Sequence, residues 1–194
     1  MFIGRSFKVI NRVKSALKNS GVVICPAYTI YGFSAFLFDV YANRKIYSIK
    51  RREKKKPFIV IAQKEFIIDN ACCFDKDMLK FLLDVNITVV LRTKSWFPDY
   101  VSFNSKTAFR AANTPFLNEI CALEPITSTS VNISGAKEIS SIWDMAKIFK
   151  KKIDGIVVDR VIGEASTIVE LDGSSIKVLR EGFNIEKIKE VIDG

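Results

Sequence analysis

The chain has 194 residues, 48% of them apolar and 26% charged, and its 30 Lys and Arg outnumber 21 Asp and Glu for a net charge of +9. That length suits one domain (1–194) with a sizeable core; the apolar fraction excludes a disordered chain, and no apolar run approaches the ~20 residues of a membrane helix. Histidine is absent, which excludes Ser-His-Asp hydrolysis, Cys-His proteolysis and His-ligated metal sites, leaving chemistry to Lys, Arg, carboxylates, hydroxyls and amides. Met1 to Phe7 has no apolar h-region, and Cys25, Cys72, Cys73 and Cys121 show no CxxC spacing. Buried, reduced thiols in a cytoplasmic protein are therefore expected.

A helix is expected over 6–20, capped by Ser6, with Phe7, Ile10, Val13 and Leu17 on one face and a stop at Asn19-Ser20-Gly21. Val22 to Cys25 reads as a short buried strand ended by Pro26, and Ala35 to Phe38 as another after a turn at Gly32. Residues 40–50 suit a helix with Val40, Ile46, Tyr47 and Ile49 as core candidates. The unbroken apolar run Phe58 to Ala62 predicts a strand covered on both faces. Helices near 64–70 and 75–83, a strand at Ile87 to Leu91 and an aromatic loop over 93–104 follow. Next come a strand at Thr107 to Ala111, a helix from Thr114 or Pro115 to Leu123, and a strand at Ile126 to Ser128. The polar turn Thr129 to Gly135 leads to a helix near 140–151. Strands at Gly155 to Val158, Thr167 to Leu171 and Ser175 to Leu179 precede a last helix, Ile185 to Ile192. Alternation without linkers or repeats predicts a single α/β domain, a twisted mixed parallel and antiparallel sheet between helical layers.

Charge is concentrated in Lys50-Arg51-Arg52-Glu53-Lys54-Lys55-Lys56, six bases and one acid. Such a run suits phosphates of a nucleotide or a nucleic-acid backbone; a solvated helix end is the plainer reading. A second group, Lys147, Lys150, Lys151 and Lys152, reads as a basic helix end before a strand. There is neither GxxxxGK[ST] nor GxGxxG. Lys50-x-Arg52 with Lys56-Pro57, and the hydroxyl- and amide-rich Ser128 to Gly135, can instead build a phosphate site from forked cations, hydroxyls and backbone N–H groups.

In chain order these motifs resemble the YrdC/TsaC-like family of threonylcarbamoyl-AMP synthases. Gly21 to Gly32 is similar to its G-x-V-x-x-P-T-[DE]-T-x-Y-G opening, and Ile46 to Pro57 to its I-x-x-[IL]-K-x-R-x-x-x-K-P segment. Thr107-Ala-Phe-Arg110 falls where a V-x-V-R strand belongs; Ser128 to Gly135 resembles S-T-S-A-N-x-S-G; Ser166 to Val169 and Val178 to Gly182 match its S-T-I-V and [IV]-L-R-x-G endings.

The resemblance implies a YrdC/RibB-like fold in which Lys50, Arg52, Ser130 and Asn132 line the nucleotide site, Lys50 and Arg52 being catalytic, with Lys56 and Arg180 as further ATP contacts. Thr29, Arg110, Ser128 and Ser166 fall where the family grips threonine or its carbamate. The implied reaction joins L-threonine, bicarbonate and ATP into threonylcarbamoyl-AMP and pyrophosphate. Mg²⁺ is then carried by the ATP phosphates, with no protein metal cage, and the product passes to a threonylcarbamoyl-transfer complex that modifies tRNA. A non-catalytic or differently specific module of the same fold, binding nucleotide, tRNA or double-stranded RNA through a basic groove, is the alternative, with Arg51, Lys54 and Lys55 as its outward charges. Three segments depart from the pattern: Ala27-Tyr28 in place of Thr and an acid, Asp84-Val85-Asn86 in place of Pro-Gly-Pro, and Ala165 in place of Pro. The absence of the histidine that long members carry after the Lys-Pro pair fits the short, single-domain type.

Overall fold

A computed structural model describes residues 1–53, 56–94 and 96–193. In chain order it runs β1 (Phe2–Arg5), α1 (Ser6–Lys18), β2 (Val23–Pro26), β3 (Tyr31–Phe36), α2 (Val40–Lys50), β4 (Ile59–Ala62), α3 (Lys64–Asn70) and β5 (Ala71–Cys72). Then come α4 (Lys76–Asp84), β6 (Thr88–Thr93), β7 (Ser102–Phe103), β8 (Lys106–Ala111), α5 (Pro115–Cys121) and β9 (Ile126–Ser130). The chain closes with α6 (Ile142–Phe149), β10 (Gly155–Val158), β11 (Ile168–Asp172), β12 (Ser175–Arg180) and α7 (Ile185–Asp193).

Local chemistry accounts for most helix starts. Asp39, Asp75, Thr114 and Ser141 each accept a bond from a first-turn N–H, at 2.8, 2.8, 3.2 and 3.3 Å. Each such cap contributes about 1 kcal/mol. Helix α1 is different: Arg5 occupies its cap position, and the Ser6 hydroxyl donates instead to Asp159 Oδ2 at 2.5 Å. The basic run begins where α2 stops, because Arg51 takes a left-handed conformation, φ 50°, at the C-cap. Lys54 and Lys55, expected to face outward, lie outside the described residues.

The 12 strands form one mixed sheet in the order β1-β10-β2-β3-β9-β4-β8-β6-β11-β12, with β5 added beside β6 and β7 beside β8. Strand β1 carries no alternation signal of its own and is held by parallel pairing with β10, Phe2 against Gly155. Strand β3 starts at Tyr31, not Ala35, so Gly32 sits within it opposite Ser130 rather than at a turn. Val40, expected in the core, is 46% exposed.

The two faces of the sheet are covered unequally. On one, α2, α3, α4, α6 and α7 pack over the larger core, with Phe33, Val60, Phe109, Val89 and Val169 supplied by the strands. On the other, only α1 and α5 pack, over Val23, Cys25, Phe36, Ile61 and Ile126. This is a three-layer α/β domain. Because side chains alternate along a strand, the second face also carries Ser128, Ile59 and Arg110, in register with Ser34, Ser128 and Ile61. It continues through Thr88 and Ile168 to Arg180. A cavity opens where α1 and α5 leave that face bare. Among the described residues no helix is long and apolar enough to cross a membrane.

Candidate active site

The cavity encloses about 210 Å³. Seven of the ten residues singled out in the sequence line it: Thr29, Arg52, Arg110, Ser128, Ser130, Ser166 and Arg180. They come from the stretches before β3, β4 and β11 and from strands β8, β9 and β12, so the sheet register rather than any one motif brings them together. No Asp or Glu stands among its described lining residues, whereas three guanidiniums do.

Each arginine is fixed by a partner that leaves other N–H groups for a ligand. Arg110, 3% exposed, donates from Nη1 to Thr29 Oγ1 at 2.7 Å. Burial first, and Arg180 second, push its guanidinium down to about 10. Arg180 donates from Nη2 to the Ser166 carbonyl at 2.5 Å, and burial lowers its pKa, with Glu138 opposing. Arg52 donates from Nε to the Lys56 carbonyl at 3.0 Å and from Nη2 to that of Pro57 at 3.2 Å, with its guanidinium 5.6 Å from the Phe58 ring centre. Burial lowers the Arg52 pKa too. Three cations desolvated by burial, Arg110 lowered further by Arg180, lose that penalty when an anion enters. The site is electrostatically prepared for a polyanion.

Lys50, Lys56 and Asn132 do not line the cavity. Lys50 is 1% exposed, and its ammonium is held behind the wall by the Ser130 carbonyl, by Asn132 Oδ1 at 2.5 Å and by the Asn132 carbonyl at 3.2 Å. Burial first and Arg52 second lower its pKa to about 8. It acts as a peg that orders the turn bearing Ser130, so the ammonium expected at the nucleotide sits behind the cavity wall in this structure. Asn132 takes part in the same peg: Ser130 Oγ donates to its Oδ1 at 3.1 Å, and its Nδ2 donates to the Ala136 carbonyl at 2.6 Å. Lys56 offers Arg52 its carbonyl, while its ammonium points out to Glu53 at 3.6 Å.

Thr88, Thr129 and Tyr31 also line the cavity without having been singled out. Thr88 and Ser166 share a hydrogen bond of 2.7 Å between their hydroxyls. Its signal was a lone hydroxyl at the head of the otherwise apolar run Val89-Val90-Leu91. Tyr31 donates to the Asp159 carbonyl at 2.6 Å and so ties the loop after β10 to the cavity edge. Further along, Ile162 N and Gly163 N donate to the Tyr28 and Thr29 carbonyls at 3.0 and 2.8 Å.

The departures fall outside the cavity wall. Ala27 is buried in the core under α1 and α5, and Tyr28, at φ 65°, packs edge-on against Phe183 with ring centres 6.1 Å apart. Where a proline-rich turn was missing, Asn86 supplies the left-handed residue at φ 59°. Asn113 Nδ2 pins that turn through Asn86 Oδ1 at 2.7 Å and the Leu83 carbonyl at 2.9 Å. Side-chain amides do the work of the lost prolines.

Known proteins are similar to this chain in sequence and architecture. A protein of Methanocaldococcus jannaschii named as a putative threonylcarbamoyl-AMP synthase is 32% identical over 184 residues, 90% of this chain and 86% of its own. The threonylcarbamoyl-AMP synthase of Wigglesworthia glossinidia is 27% identical over 186 residues, 91% of this chain and 95% of its own. Among solved structures, P. abyssi Sua5 complexed with L-threonine superposes with a TM-score of 0.86 at 23% identity; the match covers 99% of this chain but 61% of that longer one. E. coli YciO superposes at 0.80, with 19% identity and coverage of 94% and 95%. Residues 15–182 match the Sua5/YciO/YrdC family, described as telomere recombination. The cavity lining, from Thr29 to Arg180, falls wholly within the matched segment, and the chain belongs to the Sua5/YciO/YrdC family.

Proposed function

We propose that this protein is an L-threonylcarbamoyladenylate synthase, a nucleotidyltransferase that makes threonylcarbamoyl-AMP and pyrophosphate from L-threonine, bicarbonate and ATP for tRNA modification. The observation that carries the reading is the convergence of Arg52, Arg110 and Arg180 on a cavity with no acidic residue in its described lining. The names of its relatives and the threonine bound to P. abyssi Sua5 support it.

In this reading the threonine amine is first carboxylated by bicarbonate, and the carbamate oxygen attacks the α-phosphorus of ATP as pyrophosphate leaves. Attacker and leaving group are both anionic, so positioning and positive charge are needed more than an acid or base. Arg110 and Thr29, joined at 2.7 Å, form the cradle for the threonine carboxylate or carbamate, with Ser128 and Ser166 beside them. Arg52, Arg180 and Ser130 take the phosphates, and Lys50 with Asn132 keep the Ser130 turn in place. The donor set of hydroxyls and guanidiniums suits magnesium carried on the ATP phosphates, where it would offset charge as pyrophosphate departs. The adenylate would pass to a transfer complex acting on tRNA in the cytoplasm.

The test is pyrophosphate release with each substrate omitted in turn, and mass spectrometry of the product. Release should require threonine and bicarbonate together, and Arg110→Ala should lower kcat/KM by roughly 100-fold or more, the usual loss for a missing charge-stabilising donor. Turnover that ignores threonine, or an Arg110→Ala enzyme with full activity, would refute the proposal.

A further inference from the structure

Two of the four cysteines do not behave as buried thiols. Cys25 and Cys121 are 1% and 5% exposed, and Cys121 Sγ donates to the Ile61 carbonyl at 3.4 Å. Cys73 is exposed and Cys72 half-buried, and all four are free. Cys72 ends β5, opposite Arg92 of β6, and Cys73 follows it in a left-handed conformation, φ 60°. The turn they form is fixed on its far side: Gly173 N donates to the Cys73 carbonyl at 2.8 Å, and Asp75 N donates to that of Gly173 at 2.9 Å. Burial first and the adjacent Cys73 second raise the Cys72 pKa, while Arg92 and Lys94 draw it down. The turn lies away from the cavity and has no part in the proposed reaction.

Two thiols on neighbouring residues can be joined directly or through a bridging atom. The described residues contain no cis peptide, and adjacent Cα atoms across a trans peptide stand about 3.8 Å apart. That is shorter than the ~4.4–6.8 Å that a disulfide prefers, so a direct S–S bond would be strained. A ring one atom larger, closed through a soft centre that takes two thiolates, relieves the constraint. We propose that Cys72 and Cys73 form a surface dithiol site for a thiophilic trivalent centre, an organoarsenical being the ligand class. In the capture step an arsine oxide condenses with both thiols. Two As–S bonds form, the As–O bond is lost, and the oxygen leaves with both thiol protons as water; arsenic and sulfur keep their oxidation states.

Phenylarsine oxide added to the reduced, folded chain tests this by intact-mass measurement. The expected product carries one arsenical less one water per chain, resists a monothiol and is released by a dithiol. Cys72→Ser and Cys73→Ser should each abolish the stable adduct. Cys73→Asn, which accepts the left-handed backbone, should do the same and guards against a folding defect. No adduct on the native chain, or one that survives any of these substitutions, would overturn the assignment.

Discussion

Gly32→Ala tests whether the cavity wall is set by the spacing of β3 and β9. Gly32 lies in β3 opposite Ser130, and its φ is not positive, so alanine meets no backbone strain there. The obstacle is steric. An added Cβ would collide with Ser128 Oγ and stand 3.3 Å from the Thr129 carbonyl oxygen and 3.6 Å from Ser128 Cβ. Overpacking of this kind costs about 1–3 kcal/mol, against about 0.4–1 kcal/mol regained from the stiffer unfolded chain. The net loss is then about 1–2 kcal/mol, which lowers Tm by roughly 2–8 °C in a chain of this size. Ser128→Ala removes the colliding oxygen, so the double variant should recover most of the loss. Denaturant unfolding of the four proteins should give a coupling energy of about 1–2 kcal/mol. Additivity within about 0.5 kcal/mol would show that Ser128 simply rotates away and that the wall is not set by this contact.

Asn43 is wholly buried, and its amide donates at 2.8 Å to the Phe36 and Asp39 carbonyls while accepting from Thr127 Oγ1 at 2.6 Å. Asn43→Ala should destabilise by about 2–4 kcal/mol in denaturant unfolding, since it leaves several buried groups unpaired. The Lys50 pKa is lowered to about 8 from its ordinary 10.5, so between those values the unfolded chain holds more protons than the folded one. Stability relative to Lys50→Met should therefore rise with pH from about 8 to 10.5, as read from unfolding of both proteins at pH 7, 9 and 10. A difference that does not change with pH would place the Lys50 ammonium in water. Thr88→Val breaks the hydroxyl pair with buried Ser166 and should raise the KM for threonine several-fold while lowering Tm by a few degrees; an unaltered KM would remove Thr88 from the substrate wall.

Much of this protein was determined locally. The limits of α2 and β10 follow from Asp39 as a cap, from the apolar run Gly155 to Val158 and from their spacing, and the structure reproduces both. Seven lining residues were visible because they fall in motifs that resemble the family's pattern. What the sequence could not decide was direction. Lys50 and Arg52 are two residues apart in one basic run, yet one ammonium is drawn inward by the Ser130 and Asn132 oxygens and the other cation faces the cavity. Strand β1, the Thr88–Ser166 pair and the exposed thiols depend on partners 78 or more residues away or on which side of a turn faces water. Pairing register and desolvation are properties of the assembled sheet. The sequence by itself settled which residues carry charge and hydroxyls; only the tertiary structure decided which of them share one concave face.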